Sequence, residues 1–241
     1  MAVVLFAALV FVLAFLSSPA KSATAAAGGG VSFSVTNDAA ATSGGKRFDQ
    51  VVSSAYARQV LQDASTNAWR LLRQGSTSER RPLHSVALAV VEQLPGDAAI
   101  SSTRNGDIYL SAATLMTKNH ANLRNEVTGQ LYQEVARVWA NDGEGTANPR
   151  LLEGIAELAR LRAGHAPGSW AKAGEGSRWD QARSGVAGRF FDYLDGHYSG
   201  LVAKLNSALR GPASDGDDIL KHITGKTIQE LWVEYKAAFA A

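Results

Sequence analysis

Glu126-Val-Thr-Gly-Gln-Leu-Tyr-Gln-Glu-Val-Ala-Arg-Val-Trp139 and, beyond the Gly-rich turn Asp142-Gly143-Glu144-Gly145, Leu151-Leu-Glu-Gly-Ile-Ala-Glu-Leu-Ala-Arg-Leu161 both carry helical patterning. They are expected to form helices over about 124 to 140 and 149 to 163, with Pro149, Gly164 and Pro167 as punctuation. Downstream, the chain reads as further helices at about 178 to 195, 198 to 210, 215 to 223 and 227 to 239. Upstream the period changes. Val31-Ser-Phe-Ser-Val35 alternates apolar and polar residues as a half-buried strand does. Ser43-Gly44-Gly45 reads as a turn, and Arg47 to Leu72 as one long helix with Val51, Ala55, Val60, Leu61, Ala64, Ala68, Leu71 and Leu72 on one face. His84 to Val91, Ala98 to Ser102 and Asp107 to Ser111, the last after the turn Asn105-Gly106, are candidate strands of a small sheet. Strands first and helices after predict an α+β fold: a small N-terminal sheet with a long helix, then a mainly helical C-terminal half.

Composition narrows the function. Of 241 residues, 46% are hydrophobic and 19% charged, which is a globular balance. The net charge of +2 is spread along the chain, so no nucleic-acid-tracking surface is expected. The absence of cysteine removes disulfides, thiolate metal sites, iron–sulfur clusters and cysteine nucleophiles. No G-x-S-x-G elbow, P-loop or dinucleotide fingerprint occurs, and Gly28-Gly29-Gly30 reads as a spacer ahead of the first strand. The five histidines, His84, His120, His165, His197 and His222, form no i, i+3 or i, i+4 pair. No local metal signature exists among them. Trp139, Trp170, Trp179 and Trp232 are expected in the core or in the walls of a groove.

From Val3 to Leu16 every residue is apolar, and Ala23-Thr24-Ala25 suits a signal peptidase. The run is shorter than the roughly 20 residues that span a bilayer. Residues 1–25 are therefore expected to be a signal peptide, 26–30 a flexible leader and 31–241 a single domain, with no membrane segment after cleavage. The mature protein is expected to be secreted to the extracellular space, and no Asn-x-Ser/Thr sequon is present.

Ile108-Tyr-Leu-Ser111, Asn125-Glu-Val-Thr-Gly129, Val138-Trp139, Glu153-Gly-Ile-Ala156, Arg178-Trp-Asp-Gln181 and Leu231-Trp-x-x-Tyr-Lys236 follow one another in this order. In these motifs the chain resembles the plant basic secretory protein family over roughly residues 30 to 240. The resemblance implies a single secreted, zinc-peptidase-like domain linked to plant defence and an apoplastic location. It also implies a helix bearing H-E-x-x-H and a later helix bearing E-x-x-x-D. In such a motif two histidines one turn apart offer imidazoles to Zn²⁺, and the glutamate between them acts as general base.

Here that stretch reads Gln133-Glu134-Val-Ala-Arg137. The base remains, as Glu134, but the ligands have become an amide and a permanent cation, which repels a metal. No metal or other cofactor is expected. By the resemblance Glu153 matches the third ligand, and Glu157 stands one turn later where an Asp would orient a His. His165 follows the Glu153 helix, where its ring could face the cleft. Read without the resemblance, Glu153 and Glu157 would make solvent pairs with Arg150, Arg160 or Arg162. If the two helices face each other, Arg137 is expected to pair with Glu153 or Glu134, with Gln133 donating to one of the same acids.

Three functions follow from this reading. The first is a non-catalytic or severely weakened peptidase relative that binds an extracellular protein, peptide or cell-wall ligand. The second is an active metallopeptidase using Glu134 and Glu153 around a rearranged metal. The third is a cell-wall carbohydrate-binding module using the tryptophans.

Overall fold

Alternation in β2 (Ser85–Val91) sends Val86, Leu88 and Val90 into the core and leaves their neighbours half-buried. The computed structural model describes residues 30–117, 122–212 and 216–240. The expected signal peptide and His120 lie outside them, as does all of the expected leader but Gly30. Around β2 the sheet is built in the order β1-β2-β4-β3, with β1 (Ser32–Asn37), β3 (Ile100–Ser102) and β4 (Asp107–Ser111). Strands β1, β2 and β4 run parallel, and β3 runs antiparallel to β4 through the Asn105-Gly106 hairpin. Strand β3 is an edge: among the described residues no strand covers its outer side.

The α+β expectation holds, with a mainly helical C-terminal half. Among the described residues the helices are α1 (Ser43–Val51), α2 (Ser54–Leu71), α3 (Ala112–Met116), α4 (Leu123–Trp139), α5 (Pro149–Arg162), α6 (Val186–His197), α7 (Leu201–Ala208), α8 (Gly216–Thr224) and α9 (Ile228–Ala238).

Three departures from the sequence expectation each have a local reason. The long helix expected from Arg47 to Leu72 is two helices. Ser53, at φ 68°, turns the chain, and its Oγ accepts the Tyr56 N–H to cap α2. Ser43-Gly44-Gly45 is the first turn of α1 and not a separate turn, because Thr42 caps it and the backbone packs too closely for side chains. A Cβ on Gly44 would lie 2.1 Å from the Ala112 carbonyl oxygen. The helix expected from 178 begins only at Val186, since Gln181 folds back to accept from the Ser177 N–H and hydroxyl.

Helix α2 packs on α4, α4 on α5 and α5 on α6, while α4 also lies against β3. Trp139 is fully buried, donates to Ser65 Oγ at 3.0 Å and meets Trp69 edge-on. The α5–α6 interface depends on small residues. A Cβ on Gly154 would lie 2.4 Å from the Phe191 ring, and one on Gly188 would lie 2.6 Å from the Glu157 Cβ.

Gly188→Ala should therefore force α6 away from α5 and cost about 1–3 kcal/mol, measured by urea unfolding. Unchanged stability would show that this interface has slack.

Candidate functional site

Residues Gln133 and Arg137 are one turn apart on α4, so both side chains project toward α5. There Gln133 Nε2 donates to Glu153 Oε1 at 2.9 Å, and Arg137 Nη2 donates to Glu153 Oε2 at 2.5 Å. Both oxygens of Glu153 are thus engaged from α4. Arg137 Nε stands 3.3 Å from Glu134 Oε2. The same Glu134 oxygen accepts from Ser102 Oγ on edge strand β3 at 2.6 Å. One guanidinium therefore bridges two carboxylates, and a hydroxyl ties the inner one to the sheet. The Glu134 side chain is 8% exposed, and those of Arg137 and Glu153 are each 28% exposed. Burial alone would lower the pKa of Arg137, but the adjacent Glu134 and Glu153 raise it overall. The residue is a fixed cation.

A second charge-assisted bridge lies about two turns toward the start of α4. Arg160, almost wholly buried on α5, donates through Nη2 to Glu126 Oε2 at 3.0 Å and through Nε to the His165 carbonyl at 3.0 Å. Its Nη1 lies 3.5 Å from Gln133 Oε1, at the outer limit of a hydrogen bond. Gly129 makes this possible, since a Cβ there would lie 2.6 Å from Arg160 Nε.

Glu157 serves a different purpose. Its carboxylate accepts the N–H groups of Gly185 at 2.7 Å and Gly188 at 2.9 Å, capping α6 from a neighbouring helix. Burial nevertheless raises its pKa, and the two backbone hydrogen bonds offset only part of that. The His165 ring meets Asn125 Oδ1 at 3.0 Å and packs by Tyr132, and it does not line the cleft described below. Burial and then Arg160 lower its pKa. The solvent pairs considered for Glu153 and Glu157 are not formed. Arg160 bonds Glu126, and Arg162 bonds Asp192 and Asp195.

Of these groups, Glu126, Gln133, Glu134 and Arg160 line a cleft of about 600 Å³ together with Ile100, Gln130 and Trp170, whereas Arg137, Glu153 and Glu157 do not: the two acids line a separate pocket of about 50 Å³ beside Arg150 and Gln181. Trp170 contributes little aromatic face, being 8% exposed with Arg160 above its ring. Trp139, Trp179 and Trp232 are also buried. Another groove, beside α7 and α8, contains none of the site residues named above.

The donors present do not fit a zinc ion. Two of the three positions that would face it are an amide and a guanidinium, and both occupy Glu153, the one carboxylate that would serve as a ligand. Among the described residues no three His, Cys, Asp or Glu side chains are grouped as a metal site requires.

Sequence reading missed Ser102, Glu126 and Arg160. Glu126 and Gln130 precede Gln133 by seven and three residues, and Arg160 follows Glu153 by seven, so helical periodicity carried a signal for these. Ser102 carried none.

A family model described as peptidase of plants and bacteria matches residues 28–235, in agreement with the resemblance to the basic secretory proteins. No curated protein and no solved structure matches the chain.

The raised pKa of Glu157 fixes the sign of a pH effect. Its contribution to stability is full below the ordinary value of 4.5 and declines as pH rises through the higher folded-state value. Carboxyl ¹³C NMR should place the Glu157 midpoint above 4.5. The stability difference between wild type and Glu157→Ala should narrow as pH passes that midpoint. A midpoint below the ordinary value would show that the backbone donors outweigh burial.

Proposed function

The chain belongs to the basic secretory protein family, the peptidases of plants and bacteria, and we propose that it is a member without metal-dependent catalysis, which uses its cleft to bind polypeptide. The observation that carries this reading is the Arg137 guanidinium set between Glu134 and Glu153. A general base must be free to take a proton from water. Here Oε2 of Glu134 is committed to the Ser102 hydroxyl and to a permanent cation, and the residues that flank it one turn apart, Gln133 and Arg137, offer no imidazole to hold a metal ion beside it.

The cleft itself remains suited to an extended chain. Edge strand β3 supports recognition by strand addition, with Ile100 offering an apolar contact and Gln130 and Gln133 offering amides. The buried tryptophans favour this over a sugar-stacking platform. The apolar N-terminal run and the small-residue site after it support action outside the cell, in the apoplast, where a defence role would be exerted.

Protein purified without chelator should contain substoichiometric zinc and leave casein uncut by mass spectrometry. Amide exchange over residues 99–103 should slow when casein is added. The paired change Gln133→His with Arg137→His should raise zinc affinity by at least about tenfold, the scale on which a zinc site responds to its surroundings. Chelator-sensitive cleavage of casein by the unaltered protein would overturn the proposal.

A further inference from the structure

Helix α2 ends in a Schellman arrangement. The Gln74 N–H returns to the Trp69 carbonyl and the Arg73 N–H to that of Arg70. The residue that must turn left-handed at such an end is ordinarily glycine, yet here it is Arg73, at φ 52°. Its side chain lies against the backbone that begins α7. A Cβ on Gly200 would lie 2.7 Å from Arg73 Nη2 and 3.0 Å from Nη1, so the guanidinium rests directly on this glycine.

Arg73 is one wall of a cavity of about 460 Å³, shared with Arg70, Asn67, Arg162, Asp195 and Ser199. Three arginines stand against two local carboxylates, and both carboxylates are committed. Asp192 and Asp195 receive Arg162, and the second oxygen of Asp195 accepts the Val202 N–H. The side chains of Arg70 and Arg73 have no hydrogen-bond or ion-pair partner among the described residues. A concave site with two unspent guanidinium groups, an amide and a hydroxyl is chemically matched to an oxyanion.

We propose that this cavity binds a tetrahedral oxyanion, phosphate or sulfate, on Arg70 and Arg73, with Ser199 and Asn67 as additional donors. It is lined by different residues from the α4–α5 cleft and does not depend on the function assigned to that cleft. Its volume exceeds that of a bare ion and falls within the ~300–1,000 Å³ of small-ligand sites, so the anion can be free or carried on a sugar-sized body.

Calorimetric titration with inorganic phosphate and, separately, with glucose 6-phosphate tests this at constant ionic strength. Saturable binding of phosphate is expected. Tighter binding of the sugar ester would identify the carried form, and equal binding the free ion. Arg73→Gly places glycine where the backbone favours it, so this variant should melt at or above the wild-type temperature while phosphate affinity falls at least about tenfold, as when a charge-assisted bond is lost. Arg58→Gln removes an exposed charge from the same helix outside the cavity and should leave affinity unchanged. Absence of saturable binding, equal losses in Arg73→Gly and Arg58→Gln, or undiminished affinity in Arg73→Gly would each overturn the proposal.

Discussion

Two partly buried carboxylates on facing helices repel one another unless a positive charge lies between them. Here that charge is the guanidinium of Arg137, set between Glu134 of its own helix and Glu153 of the next. A dication in the same place would require ligand lone pairs directed at one point. A guanidinium requires planar acceptors in a fork, and Glu153 presents one. Gln133 donates to the other oxygen of Glu153. The two residues therefore act together: the cation supplies the charge, and the amide satisfies the remaining acceptor. Leaving either acid partly buried without such a partner would be costly.

This bridge depends on the close approach of neighbouring elements. Gly129 lets Arg160 lie across α4 and reach Glu126, so α4 and α5 are joined by two charge-assisted links on the same side. Gly188 lets the backbone of α6 descend onto Glu157, whose carboxylate then serves as that helix's missing cap. On the other side, Ser102 connects Glu134 to the exposed edge of the sheet. The path from β3 through α4 and α5 to α6 thus runs through polar side chains set in an apolar core. Its rigidity suits a cleft that presents a preformed surface.

Legibility in the sequence followed the range of the interactions involved. Strands β2 and β4 and helices α4 and α5 were readable because each is specified by its own periodicity and turn residues. The division of α1 from α2 was not, since one serine in a left-handed conformation interrupts a continuous apolar stripe. Nor was the late start of α6, whose cap comes from Glu157, 28 residues earlier. In the site, the residues one turn apart on each helix were visible. Ser102 was not, because a serine on a short edge strand resembles any solvent-facing serine until Glu134 is placed beside it, 32 residues away. His165 looked suited to the cleft by its position after α5, but Asn125 holds the ring elsewhere.

The central claim is that Arg137 and Glu153 act as one unit, and a double-mutant cycle tests it most directly. Urea unfolding of the wild type, Arg137→Met, Glu153→Gln and the double variant isolates their coupling from the separate cost of each change. For residues in contact within one network the coupling should lie in the range of about 0.5–3 kcal/mol, with the double variant more stable than the sum of the single changes implies. Strict additivity of the two substitutions would show that the pair does no joint work and would contradict the account.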